Sequence, residues 1–507
     1  MLETIACGLA IDRSSESGFL MQKIWLSPPV VEGQGVFFEW SIQPTCPLYV
    51  KTNFSITFPP SVDLTRVPPR LWWDIFLLCL HPHWLLLRPC EISMPLRLGE
   101  PLRQFWLQLL QNGFDTLEAY SSPKKKQNLD IKITDGDLVV PYERASGQGY
   151  GTAFSGGKDS LLQSALLFEI INRPLLVATS SPMPPLADHV TMRRRQIFKQ
   201  IQVRANPVFV ETSSDLRSIW DNSFASQLGY RIAVNELTDT FLYTASLVAT
   251  GAALGFTHLF VASEAELQES AVLDGKIVQH SHFMYTAATQ RAIARILTPY
   301  GIQFGSLTWP LHTMQVQQLL WSRYPGLSDL QYSCWRVGAN ESTCSECEQC
   351  LRIAVTALEG GYDPQRMGID LRKIINFASS WVPIAERPSA KPLPQDDAAD
   401  ELAARVVDAM RSTSLIHLGV TLARVSISDL LHSVRKFKYA RERVGYLPKP
   451  PQMGIRNGFL DWIDADLREP LTAIYTKHFP IEQRHTYVDH LERSDTLTRR
   501  ATVWLDR

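Results

Sequence analysis

Two short clusters carry the residues that could do chemistry. The first is Ser155-Gly156-Gly157-Lys158-Asp159-Ser160. Adjacent glycines permit turns and close backbone approaches that a side chain would block. The next residues, Leu161 to Ile171, read as a helix. The first amides of a helix lack internal acceptors, and its dipole adds positive charge there. Tyr150 to Phe154, just before the glycines, reads as a strand. A strand, a glycine turn and a helix start make a cradle for an anion, phosphate above all. Lys158 adds a full charge, Ser155 and Ser160 add hydroxyls, and Asp159 adds a carboxylate able to hold Mg²⁺. The second cluster is Cys334, Cys344, Cys347 and Cys350, the last three separated by two residues each. Four thiolates suit a tetrahedral Zn²⁺ and leave no open ligand position, so the expected role is structural. An iron–sulfur cluster is the rival reading.

These groups need a scaffold, and residues 148–383 supply a pattern for one. Strand-like runs at Leu175–Thr179, Pro207–Glu211, His258–Ala262 and near Gln303–Leu307 alternate with helix-like runs. Those helices are expected over Arg193–Gln202, Leu237–Leu254 and Met284–Leu297, with another at Gln315–Tyr324. The alternation predicts an α/β fold, a doubly wound parallel sheet. Such sheets bind ligands at the carboxyl ends of strands near the topological switch point, where the glycine turn would sit. Residues 1–147 read as an accessory α+β unit, with strands at Val36–Ile42 and Phe54–Phe58 and a helix at Pro101–Tyr120. Leu129 to Val140 reads there as an alternating strand pair, and Lys124-Lys125-Lys126 as a solvated turn. Residues 384–399, rich in Pro, Ala and Asp, read as a linker. Residues 400–507 read as a helical accessory domain. Its basic-aromatic stretch (Arg435, Lys436, Phe437, Lys438, Tyr439, Arg441, Arg443) is either a solvated face or a dock for an acidic partner.

Composition fits a folded protein of about three domains. The chain has 507 residues, 45% hydrophobic and 20% charged, with a net charge of −1. That balance gives no general attraction to nucleic acid or to a membrane surface. The most apolar window, Leu71 to Leu87, is interrupted by Asp74, His81, Pro82 and His83 and is too short to span a bilayer. The start Met1-Leu2-Glu3-Thr4 lacks the basic opening of a secretory signal. A soluble, cytoplasmic protein is expected, in which disulfides are disfavoured. Cys7, Cys46, Cys79 and Cys90 are scattered and read as ordinary thiols.

The glycine turn is not a Walker A loop: Asp159 follows Lys158 where Ser or Thr should stand, and Thr152 occupies the first glycine position. The string S-G-G-x-D-S resembles the pyrophosphate loop (PP-loop) of the N-type ATP pyrophosphatases. Those enzymes split ATP between its α and β phosphates and place AMP on a substrate oxygen. The later segment reads Ser333-Cys334-Trp335, then Cys344-Ser345-Glu346-Cys347-Glu348-Gln349-Cys350-Leu351-Arg352. It is similar to the zinc-binding tail of 7-cyano-7-deazaguanine synthase (QueC). Pro310-Leu311 and the helix after it also resemble that family, and the likeness covers residues 150–362. It implies that Ser155, Gly156, Gly157, Asp159 and Ser160 hold ATP and pyrophosphate. Lys158 fills the family's variable slot, and its catalytic role follows from charge alone. The resemblance likewise implies structural Zn²⁺ on Cys334, Cys344, Cys347 and Cys350.

The pattern departs from the family in two places. The Tyr-Pro-Asp-Cys-Arg string that shapes the family's base pocket is missing. In its place stand Ser263-Glu264-Ala265-Glu266-Leu267, Asp274-Gly275-Lys276 and His280-Ser281-His282. Glu264, Asp274, His280 and His282 are therefore polar candidates beside ordinary loop residues. The flanking units are the second departure. Enlarged QueC-like proteins occur in bacterial anti-phage operons, including Qat systems and type IV CBASS. That likeness implies a ligase that adenylates a 7-deazapurine carboxylate and joins it to an amine of a partner protein. The alternatives are a nitrile synthase using ammonia, a non-catalytic nucleotide-binding scaffold, and another PP-loop enzyme such as a tRNA thiolase.

Overall fold

A computed structural model describes residues 21–87, 89–120, 129–180, 186–202, 206–221, 234–265, 271–273, 276–278 and 283–332. Further along it describes 334, 343–347, 350, 353–354, 357, 362–370, 373, 455, 457–461 and 463–481. The expected Lys124–Lys126 turn, the 384–399 linker and the basic-aromatic stretch from Arg435 to Arg443 lie outside these residues.

The chain opens with β1 (Gln22–Leu26), β2 (Val30–Glu32), β3 (Gly35–Gln43) and β4 (Asn53–Thr57). α1 (Pro69–Trp84), β5 (Cys90–Leu96), α2 (Glu100–Tyr120) and β6 (Ile131–Leu138) follow. β3 shows why these are strands: Val36, Phe38 and Trp40 are buried, while Phe37, Glu39 and Ser41 face out, a period of two. α1 starts with Pro69 in its first turn, where a missing N–H costs nothing. From Arg70 onward it is buried on all sides, as expected of a helix inside a core. The stretch expected as a strand pair is one strand, β6, pairing with β5 alone. Its sequence Thr134-Asp135-Gly136 suggests a turn, but Asp135 instead accepts the amides of Leu98 and Gly99 and the strand runs on.

The second part alternates as the sequence predicts: β7 (Gly149–Ala153), α3 (Lys158–Ile170), β8 (Leu175–Ser180), α4 (Leu186–Gln202), β9 (Val208–Ser214), α5 (Val234–Leu254) and β10 (Phe256–Phe260). A small pair, β11 (Ala271–Leu273) and β12 (Lys276–Val278), precedes α6 (Ala287–Leu297), β13 (Gln303–Gly305), α7 (Thr313–Arg323) and α8 (Pro325–Ser328). Strands β13, β10, β7, β8 and β9 lie side by side in that order, and every neighbouring pair is parallel. The chain moves outward from β7 to β9, then returns to the other side of β7 for β10. The switch point is therefore the crevice between the ends of β7 and β10. Leu175, Leu176, Val177 and Ala178 of β8 are all buried, as in a parallel strand covered on both faces.

The two parts share one sheet of eleven strands, ordered β13-β10-β7-β8-β9-β4-β3-β1-β5-β6, with β2 beside β3. The join is the antiparallel pairing of β4 with β9, where Ile56 faces Ser214 and Thr57 faces Ser213. Asp215 fastens it, accepting from the Ser55 amide at 2.7 Å and pairing with Lys51. A single hydrophobic core crosses the join, running from Trp40, Phe54 and Phe76 to Val210, Phe241 and Val248. A second core lies under α3 and α7 and takes in the chain's later helices, α9 (Asn457–Leu460) and α10 (Ala465–Thr476). Leu467, Leu471, Ile474 and Tyr475 are buried there, and the Tyr475 hydroxyl donates to the Leu307 carbonyl at 2.7 Å. Among the described residues no helix is long and apolar enough to cross a membrane.

Candidate active site and cysteine centre

Ser155 to Ser160 bridges the end of β7 to the start of α3, so the glycine turn lies at the carboxyl edge of the sheet. Gly156 has φ +83°, a conformation that a side chain makes costly. A Cβ there would also come within 3.0 Å of Ile197 Cδ1. Gly157 caps α3 without a side-chain bond, which leaves the first turn's amides for other acceptors. Ser160 organises the turn. Its hydroxyl accepts from the amides of Ser155 (3.2 Å) and Gly156 (3.1 Å) and lies 3.0 Å from the Ser155 hydroxyl. The Gly157 amide points at Ser155 Oγ, 3.3 Å away. Three successive backbone donors thus turn inward onto two neighbouring hydroxyl oxygens, an arrangement suited to cradling an anion.

Lys158 is almost fully buried, 4% exposed, and its ammonium sits between two carboxylates. Asp159 Oδ1 is 2.6 Å away, and Glu264 Oε1 makes the second ion pair. Glu264 follows β10, so the Lys158–Glu264 pair spans the switch-point crevice. Burial alone would push the lysine toward its neutral form. The two carboxylates outweigh burial and hold the ammonium above its ordinary pKa. The backbone around Glu264 is fixed: the Ser263 amide donates to Ser306 Oγ (3.0 Å) and Thr308 Oγ1 (3.1 Å), and the Ala265 amide to the Leu311 carbonyl (2.8 Å). Below the loop, buried Gln163 ties β7 to the segment after β13, donating to Thr152 Oγ1 (2.7 Å) and accepting from the Leu307 amide (2.9 Å).

Beside the loop stands a second group of charges. Arg194, on α4, is buried and donates to the Ser155 carbonyl (3.1 Å) and the Thr179 carbonyl (2.6 Å), locking the turn to the end of β8. Burial pulls its pKa down. Arg217, just past β9, makes a two-pronged pair with Asp239 of α5 and donates to the Tyr243 hydroxyl at 2.7 Å. Tyr243 also hydrogen-bonds Arg194, and burial raises its phenol. Spacing gives no sign of Arg194, Arg217 or Asp239, because each acts on a residue on another element.

The four cysteines come together. Their sulfurs lie within 4.8 Å of one another, with Cys334, Cys347 and Cys350 buried. Amides turn toward the sulfurs: Cys344 N to Cys334 Sγ (3.4 Å), Glu346 N to Cys344 Sγ (3.4 Å) and Cys350 N to Cys347 Sγ (3.5 Å). Ser345 takes φ +56° to make this turn, and its hydroxyl accepts from the Asp370 amide at 2.8 Å. Burial pushes the Cys344 thiol up to about 11, and crowding by Cys334 and Cys347 raises Cys350 strongly. Four sulfurs this close ionise together only around a cation, and the donor set fits a thiophilic metal. The centre also touches the glycine turn: the Tyr332 amide, two residues before Cys334, donates to the Gly156 carbonyl at 2.7 Å.

Of the polar candidates after β10, Glu264 reaches the loop, while Asp274, His280 and His282 lie outside the described residues. No family model, curated protein or solved structure matches this chain.

Proposed function

We propose that this chain is an ATP-dependent ligase of the PP-loop, QueC-like kind. In this reading it adenylates a 7-deazapurine carboxylate, such as 7-carboxy-7-deazaguanine, and passes the acyl group to an amine of a partner protein to form an amide. The setting expected of it is anti-phage defence. The observation that carries the reading is the S-G-G-K-D-S turn at the switch point of five parallel strands, with Lys158, Asp159 and Glu264 gathered across the crevice.

A carboxylate oxygen leaves poorly, and transfer of AMP makes it a good leaving group. The loop amides and Ser160 would hold the pyrophosphate that departs, and Lys158 would meet its growing negative charge. Asp159 would hold Mg²⁺, which when bound supplies further positive charge on the phosphates. Arg194 keeps Ser155 in register by holding its carbonyl. Cys334, Cys344, Cys347 and Cys350 would hold Zn²⁺ as a structural ion, anchoring Tyr332 against Gly156. A protein acceptor is supported by the β4–β6 side of the sheet, where Val30 and Phe37, directly paired across β2 and β3, are both exposed. Apolar side chains grouped on a surface mark places where proteins meet.

Incubation with 7-carboxy-7-deazaguanine and Mg·ATP tests the first step. Pyrophosphate should appear only when the carboxylate is present, and its absence sinks the reading. Intact mass of co-expressed partners tests the second step, since a deazapurine-sized adduct is expected. Nitrile made from ammonium with no partner would move the reading to a nitrile synthase.

A further inference from the structure

The amide-forming half of this reaction needs a group that handles the incoming amine, and the fold holds one ready. Amines arrive at neutral pH as ammonium ions. An ammonium must be held against opposite charge and must lose a proton before its lone pair can attack. Glu264 already binds an ammonium, that of Lys158, with its side chain only 12% exposed. It stands at the end of β10, on the far side of the crevice from the glycine turn. Its backbone is clamped on both sides by the Ser263 and Ala265 amides, so its carboxylate is preorganised. Asp159, the other partner of Lys158, belongs to the loop itself. Phosphates seated in the loop would compete with Glu264 for Lys158 by charge, and the Mg²⁺ that accompanies them would engage Asp159. Glu264 is the carboxylate that reaches Lys158 from the opposite wall of the crevice, past the end of β10.

We infer that Glu264 receives the acceptor's ammonium group and takes its proton. The inference rests on the ligase reading above. The acceptor enters as R–NH₃⁺. Glu264 accepts one proton, and the freed lone pair forms a C–N bond to the acyl carbon. The bond from that carbon to the AMP oxygen breaks, AMP leaves with the electron pair, and the second nitrogen proton passes to solvent. The products are an amide, AMP and two protons. The same chemistry fits ammonium itself or a lysine side chain on a protein.

The test separates the two half-reactions in Glu264→Gln, with 7-carboxy-7-deazaguanine, Mg·ATP and either ammonium or hydroxylamine. Hydroxylamine is uncharged near neutrality and needs no base. Exchange of pyrophosphate into ATP should fall far less than amide formation, since Lys158 loses one carboxylate partner but keeps Asp159, and the acyl adenylate should accumulate. Amide formation from ammonium should fall about 100-fold or more, while hydroxylamine should restore most of the rate. Glu264→Asp, which keeps the charge, should fall between wild type and Glu264→Gln, and it serves if the Gln variant does not fold. Equal loss with both nucleophiles together with lost exchange would overturn the inference, leaving Glu264 as a prop for Lys158. An unchanged rate with ammonium would overturn it too. A wild-type protein that performs no exchange sinks the ligase reading, and this inference with it.

Discussion

The two halves of the sheet bury ionisable groups in opposite ways. In the β4–β6 half, α1 carries Asp74, His81 and His83 into the core. Burial drives His81 down to about 3 and His83 well below its usual value, so both imidazoles stay neutral. Burial likewise lifts Asp74 to about 6, against the opposing pull of Arg70 and of the hydrogen bond from Tyr300. In the β7–β13 half, Lys158 is just as buried but stays charged, because Asp159 and Glu264 surround it. A core tolerates a titratable group by discharging it. A site keeps the charge and surrounds it with partners that a ligand can replace. The same sheet does both, and at Lys158 the carboxyl edge of its parallel strands does the second.

The largest expected effect breaks the charged half. Asp159→Ala should cut carboxylate-dependent pyrophosphate release about 100- to 1000-fold while leaving the fold intact. The measurement is a steady-state pyrophosphate assay beside a thermal melt. A variant that keeps its rate would remove Asp159 from the chemistry and favour a nucleotide-binding scaffold.

A smaller effect should come from the cysteine centre, which reaches the same half at one point. Cys347→Ser should lose bound metal and loosen the segment whose Tyr332 amide holds Gly156. Misplacing the loop by a fraction of an ångström to about 1 Å should slow pyrophosphate release roughly 10- to 100-fold. Metal content by mass spectrometry and rate per folded molecule are the readouts. Full rate in a metal-free variant would show that the Tyr332–Gly156 bond transmits nothing.

How far this contrast could be read in advance depends on how local each signal is. The Ser155–Ser160 string lies within six residues of chain and the four cysteines between positions 334 and 350, so the turn and the sulfur cluster were legible. The βαβ alternation of residues 148–307 was legible for the same reason, each element announcing itself by period. Glu264 could be seen only as one acid among several, because its partner lies 106 residues away. Arg194 and Tyr332 carried no signal, since both act through backbone carbonyls of the loop. The pairing of β4 with β9 was equally hidden. It joins segments more than 150 residues apart through only two register positions, and no local pattern encodes a partner.

The neutral half makes its own prediction through pH. His81 and His83 bind protons more readily when unfolded, so their contribution is present above about pH 6.5 and is lost as pH falls toward their folded values. Asp74 works the other way: its raised pKa favours the folded state below about 4, and that benefit is lost as pH rises to about 6. Two imidazoles oppose one carboxyl, so acid should destabilise this half, each histidine contributing about 1.4 kcal/mol per pH unit below its unfolded pKa. His81→Phe should flatten the dependence of the urea midpoint on pH between 7 and 5. An unchanged slope would mean that burial does not hold this imidazole neutral, and the contrast between the halves would fail.

The smallest effect tests whether the halves are one unit at all. Asp215 holds the seam, accepting from the Ser55 amide and pairing with Lys51 across 164 residues of chain. Asp215→Ala removes a charged acceptor from a half-buried backbone donor, a loss of about 1–2 kcal/mol. Because Trp40, Phe76, Val210 and Phe241 share one core across the seam, that loss should lower a single melting transition without splitting it. Two separate transitions in the variant would mean that the β4–β9 pairing alone couples the halves. The shared core would then be too weak to carry a binding event on the exposed β1–β3 face to the loop. One transition makes the opposite case. A partner docked on that face would act on the same cooperative body that fixes Glu264 beside Lys158.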